Sequence, residues 1–283
     1  MGTNWAWRIA KIFGFVFLTL LILAAIAITF TLGLRPVIGA KKRPLTSREF
    51  EATQERLRRG EYLVHAVMPC MDCHSRYDLQ ANPPVLASPD GAGSILYAQG
   101  GLRIVAPNIT SDSESGLGKW SDGAIARAIR EGIAADGSAL VPVMPYEHFR
   151  HMSDEDLASV VVFICSLSAV QSDLPATRLP SPLTRLIQAV PQPVTERVPE
   201  HGTSNLAERG EYLAQMATCS DCHTPVDPKF QPIRGMELAG GKPMLSGVFS
   251  ANITPDASGI GYYDETLFIQ VMRNGSVRAR KLS

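Results

Sequence analysis

The residues best placed to do chemistry lie in two short runs. Cys70-Met71-Asp72-Cys73-His74 sets two thiols three positions apart with an imidazole directly after the second, and Cys219-Ser220-Asp221-Cys222-His223 repeats the arrangement. C-x-x-C-H is the spacing at which two thiols can form thioethers to one haem while the adjacent histidine offers a nitrogen to its iron. Four of the five cysteines are used this way. A redox dithiol is expected beside a βαβ pattern, and no such pattern is legible here. A zinc site would need both cysteine pairs to share one metal across separate repeats. The expectation is therefore two covalently bound haem c groups. Cys70, Cys73, Cys219 and Cys222 would be the attachment points, with His74 and His223 as iron ligands.

Several elements must position the first motif. Leu57, Gly60, Val64 and Val67 recur near helical period just before it, and Thr46-Ser47-Arg48-Glu49 has the form of a capping box that would open that helix. Residues 74–107 are rich in Gly, Pro, Asn and Asp and read as loop. Ser121 predicts the cap of a helix ending at Gly132. A further helix is predicted after Ser153, with Leu157, Val160, Val161, Ile164 and Leu167 on the face that meets the Gly60 helix. Cys165, on that helix, is expected to be a small buried hydrophobe. Between the two helices, Val141-Pro142-Val143-Met144-Pro145-Tyr146 forms a stiff non-helical loop that can hold the Met144 thioether against an iron. Met68, Met71 and Met152 are its rivals.

The chain then repeats itself. Arg59-Gly60-Glu61-Tyr62-Leu63 is matched by Arg209-Gly210-Glu211-Tyr212-Leu213, Asn108-Ile-Thr by Asn252-Ile-Thr, and Gly116-Leu117-Gly118 by Gly259-Ile260-Gly261. Gly100-Gly101 aligns with Gly240-Gly241, and Arg130 and Gly132 with Arg273 and Gly275. Recurrence of Asn-Ile-Thr favours a structural turn over a glycosylation site. This is a tandem duplication. Since 28 residues separate Gly116 from Met144, the second copy of that methionine falls about four residues past Ser283. The second domain is thus expected to be C-terminally incomplete, with Met236, Met244 or His201 as substitute ligands if it is not.

Net formal charge is zero and no basic tract occurs, so nothing points to nucleic acid. Ile12 to Leu34 is an uncharged run of 23 residues, long enough to cross a bilayer. Ala25-Ile26-Ala27 offers a signal-cleavage alternative, but the length favours a retained anchor. Arg35, Lys41, Lys42 and Arg43 outnumber Arg8 and Lys11, which by the positive-inside rule leaves the large domain in the cytoplasm. Covalent haem attachment in bacteria takes place on the outer face, and it takes precedence. The expected placement is the bacterial cytoplasmic membrane, N-terminus inside and haem domains in the periplasm. The boundaries are anchor 12–34, stalk 35–45, first domain 46–170, proline-rich linker 171–203 and second domain 204–283.

Arg59-Gly60-Glu61-Tyr62-Leu63, both C-x-x-C-H motifs, Asn108-Ile109-Thr110-Ser111-Asp112, Met144-Pro145-Tyr146 and Met152-Ser153-Asp154-Glu155-Asp156-Leu157 together resemble the multihaem cytochrome c subunits of membrane-bound bacterial alcohol, aldehyde and gluconate dehydrogenases. The resemblance spans about residues 55–283. It implies an all-α fold of two tandem class I cytochrome c domains, with His74 and Met144 as axial ligands of the first iron and His223 of the second. The expected function is single-electron transfer from a periplasmic dehydrogenase subunit or other redox protein towards quinone or a terminal oxidase, without catalysis of its own. The alternative is a dihaem peroxidase using an open second haem.

Overall fold

The computed structural model describes residues 3–78, 85–200, 205–228, 231–244, 247–277 and 280–281. A largely apolar stretch, charged only at Arg8 and Lys11, folds as α1 (Thr3–Leu32). Within it Trp7–Ala27, of mean hydropathy 2.6 and wholly unburied, is long and apolar enough to cross a membrane. Gly33, at φ +69°, ends it, and Pro36 sits in the first turn of the short α2 (Arg35–Ile38).

The predicted capping box at Thr46 to Glu49 does not open a helix. Phe50 is buried, and its amide donates to Asp122 Oδ2 at 2.7 Å, a tertiary bond that holds the segment in non-helical form. The cap is Thr53 instead, whose hydroxyl accepts the Arg56 amide at 3.2 Å, and α3 follows (Gln54–Tyr62). It continues as a π-helical turn (Leu63–Val67) into α4 (Cys70–His74).

The stretch predicted as loop contains two antiparallel pairs, β1 (Tyr77–Asp78) with β2 (Val85–Leu86) and β3 (Ser94–Gln99) with β4 (Leu102–Ala106). Gly100 and Gly101, both at positive φ, make the two-residue turn between β3 and β4, a conformation open to glycine. Next come α5 (Asp122–Glu131), capped by Ser121 and closed by left-handed Gly132, and α6 (Tyr146–Phe149). Capped by Ser153, α7 (Asp154–Ser166) precedes α8 (Leu183–Leu186) and a 3-10 turn (Ile187–Ala189). The remaining elements are α9 (Leu206–Met216), α10 (Cys219–His223), α11 (Glu265–Asn274), β5 (Ser276–Val277) and β6 (Arg280–Lys281). The fold is mostly helical, with 42% helix and 9% strand.

The chain divides into two compact units, Met1–His201 and Gly202–Ser283. In the first, α3 packs on α7 as the periodicity predicts. A side chain at Gly60 would overlap the Ser159 carbonyl, so only glycine allows this approach. Leu63, Val64, Val160 and Val161 are buried there, each contributing roughly 1.5–3 kcal/mol. Two ion pairs fix the register of the helices: Arg56 to Glu155 at 2.6 and 2.9 Å, and Arg59 to Asp156 at 2.7 and 2.8 Å. Cys165 departs from expectation. It lies exposed in the last turn of α7.

Residues 171–200 do not leave the first unit. Arg178 and Arg103 exchange both backbone bonds at 2.8 Å, and Thr177 Oγ1 accepts the Val105 amide at 3.0 Å. Further on, the Asp154 amide donates to the Val198 carbonyl at 3.0 Å. In the second unit Tyr212 and Met216 of α9 are buried, whereas no residue of α11 is.

Candidate haem-binding sites

One helical turn, α4, carries the first motif, so Cys70, Cys73 and His74 project from a single short element. The carbonyl of Pro107 lies 2.7 Å from His74 Nδ1. A carbonyl only accepts, so Nδ1 carries the proton and Nε2 keeps its lone pair for a metal. The His74 carbonyl in turn accepts the Gly93 amide at 2.7 Å. Ring and backbone of this histidine are thus both held.

Cys70, Cys73, His74 and Met144 all line one cavity of about 680 Å³. Its remaining walls are largely apolar, including Ile125, Ile129, Leu140 and Phe149. Met144 is held at both ends of its peptide, its amide on the Val141 carbonyl at 3.1 Å and its carbonyl accepting the Tyr146 amide at 2.8 Å. Of its three rivals only Met68 also lines the cavity. Met71 is buried beside Ser75, and Met152 is buried with its carbonyl bound by Arg130.

Desolvation pushes the Cys70 thiol up to about 12 and raises Cys73 as well, with Cys73 and Asp72 adding repulsion to Cys70. A dithiol redox centre needs an accessible low-pKa thiolate, and this site opposes one. Desolvation also lowers the His74 pKa, which favours the neutral imidazole that a metal requires. Among the described residues no three His, Cys, Asp or Glu side chains converge as a zinc cluster would. The cavity's volume, apolar walls, paired thiols and N/S donor set fit a covalently held haem.

Two contributors to the cavity had no sequence signal pointing to them. Leu174, Pro175, Leu179, Thr184 and Ile187, from the stretch read as linker, form one wall. Leu96, Ile104 and Val105 of the β3–β4 hairpin form another.

In the second unit α10 carries Cys219, Cys222 and His223, and the Ala251 carbonyl lies 2.7 Å from His223 Nδ1. The Gly240 amide donates to the His223 carbonyl at 2.7 Å. The partner of Gly240 is therefore Gly93, not Gly100 as the paired glycines predict. Gly100 belongs to a hairpin turn outside this contact. Both Asn-Ile-Thr segments form the same side-chain turn, Asn108 Oδ1 accepting the Thr110 amide at 2.9 Å and Asn252 Oδ1 the Thr254 amide at 2.8 Å. Met236 and Met244 are exposed, and His201 lies outside the described residues.

No protein-family model matches the chain. It is 28% identical over 249 residues to the fructose dehydrogenase cytochrome subunit of Gluconobacter japonicus, covering 84% of this chain and 48% of that one. Identity is 29% with the gluconate 2-dehydrogenase cytochrome c subunit of Pantoea cypripedii, over 80% of this chain and 52% of that one. A diheme cytochrome c-type protein of Cereibacter sphaeroides is 28% identical, with 70% of this chain and 67% of that one covered. The chain spans about half the length of the first two.

Proposed function

From a chain homologous to the cytochrome c subunits of fructose, alcohol and gluconate dehydrogenases, we infer a membrane-anchored carrier of single electrons. It would hold two haem c groups in tandem cytochrome c-like domains and serve a dehydrogenase subunit. The observation that carries this reading is the convergence of Cys70, Cys73, His74 and Met144 on one apolar cavity.

When bound, haem c supplies a one-electron iron couple. The chain's part is to anchor, orient and shield it. Cys70 and Cys73 would tether it to α4, and Cys219 and Cys222 to α10. Pro107 and Ala251, by occupying Nδ1, aim Nε2 of His74 and His223. Met144, which lines the same cavity as His74, would offer a thioether to the iron, and such a donor would keep substrate away and favour a relatively high potential. The apolar walls exclude water and thereby also raise it. Electrons would pass from the dehydrogenase between the two haems and on to quinone or an oxidase. The anchor is α1, the N-terminus faces the cytoplasm and the haem domains face the periplasm.

Intact-mass spectrometry and haemochrome spectra of the full chain test this reading. Two covalent haem additions are expected, Cys73→Ser and Cys222→Ser each disturbing one. An unmodified polypeptide from a strain competent in haem attachment would refute it.

A further inference from the structure

The wall contributed by residues 171–189 has an outer side. Thr184 and Ile187 line the first cavity, while Leu183, one residue earlier on α8, is exposed. α8 and the 3-10 turn pack against α2, and the Ala40 amide donates to Gln188 Oε1 at 3.2 Å. α2 begins three residues after α1 ends. A wall of the cavity thus rests on the chain where it leaves the apolar helix.

The surface at that junction is apolar and basic. Leu34, Val37 and Ile38 are 54%, 74% and 64% exposed, beside Leu183 at 41%. Arg35, Lys41, Lys42 and Arg48 follow α1 with no acidic residue before Glu49, Arg43 being paired with the buried Glu131 at 2.6 Å, and Arg185 lies on α8. Exposed aliphatic side chains flanked by cations match the boundary between headgroups and acyl chains of an anionic bilayer. Continuity with α1 brings this surface to such a boundary.

We propose that Leu34, Val37, Ile38 and Leu183 form a shoulder seated in the anionic membrane that α1 crosses, so that the first haem cavity works at the lipid surface. This rests on the anchored-carrier reading above. A lipid-soluble electron carrier would then exchange with the first site.

The test uses the full-length haem-loaded chain with Cys165→Ser, which removes the exposed thiol, in phosphatidylcholine–phosphatidylglycerol vesicles. Nitroxide labels are attached through Val37→Cys, Leu183→Cys or, as an aqueous reference, Glu147→Cys. The expected result is that labels at 37 and 183 relax more with oxygen than with a water-soluble nickel chelate, the reference label behaves oppositely, and pure phosphatidylcholine weakens the contact at 183. If the chain resists carbonate extraction while both shoulder labels respond mainly to nickel, the shoulder is overturned and the anchor stands. Carbonate extraction of the chain would overturn the anchor and the shoulder with it.

Discussion

Gly93 donates its backbone amide to the carbonyl of His74 at 2.7 Å, and in the second unit Gly240 makes the same bond to His223 at the same length. Both glycines have φ near +80°, at 82° and 75°. A Cβ on Gly93 would come within 2.8 Å of the Ala106 carbonyl oxygen and the Asn108 amide nitrogen, and one on Gly240 within 2.5 Å of the Asn252 amide nitrogen. Each glycine therefore brings the candidate iron-binding histidine and the segment that orients its ring into one tight backbone cluster. Gly93→Ala and Gly240→Ala should each destabilise their own unit by about 1–3 kcal/mol. Each should also broaden the spectrum of one haem and spare the other, as read by thermal melts and low-temperature absorption.

The Gly60 and Gly210 positions match in sequence but not in surroundings. Gly60→Ala would drive a methyl into the Ser159 carbonyl and should cost about 1–3 kcal/mol or more. No described atom lies within 4 Å of a Cβ on Gly210, so Gly210→Ala should stabilise α9 by about 0.4–1 kcal/mol. Denaturant titrations of both variants separate the two cases.

Met144 and Met68 share the cavity and each precedes a proline, but only Met144 lies between two, Pro142 and Pro145. Met144→Ala should retain covalent haem yet lose the thioether-ligand signature and lower the potential of one haem. Met68→Ala should retain that signature. Near-infrared absorption and redox titration distinguish them, and the opposite pattern would move the ligand assignment to Met68.

Loosening the wall at residues 171–189 should act on the first haem alone. Arg178→Pro removes the amide that donates to the Arg103 carbonyl at 2.8 Å and should admit water beside Leu174 and Leu179. Water favours the more charged oxidised state, so one potential should fall while the other holds, as a two-haem redox titration would show.

Acid should weaken the α3–α7 seam. A hydrogen-bonded Arg56 holds the Glu155 carboxyl below its usual range. A folded-state value below the unfolded one stabilises above the unfolded value, roughly 4.3, and that gain disappears as pH falls through the lower folded value. The melting temperature of the native chain should therefore drop on acidification below about pH 4.3 more steeply than that of Arg56→Met. Parallel acid limbs would show that the pair contributes nothing.

Local spacing determined much of this protein. Cys70 to His74 and Cys219 to His223 point to haem attachment because thiols three positions apart, followed by a histidine, share one helical turn. Ser121, Gly132 and Ser153 mark helix ends through side-chain and backbone preferences that act within four residues. The apolar run of α1 and the Gly60 periodicity belong to the same class. What tertiary structure decided depends on backbone groups that any residue carries. The carbonyls of Pro107 and Ala251 orient the two histidines, and nothing in their side chains announces it. Phe50 is held out of a helix by Asp122, 72 positions away. The proline-rich stretch becomes a cavity wall because the amide of Arg178 finds the carbonyl of Arg103. Gly93, rather than the more conspicuous Gly100, matches Gly240 because a positive φ at the histidine contact is a requirement of position, and glycine identity alone does not reveal which glycine meets it.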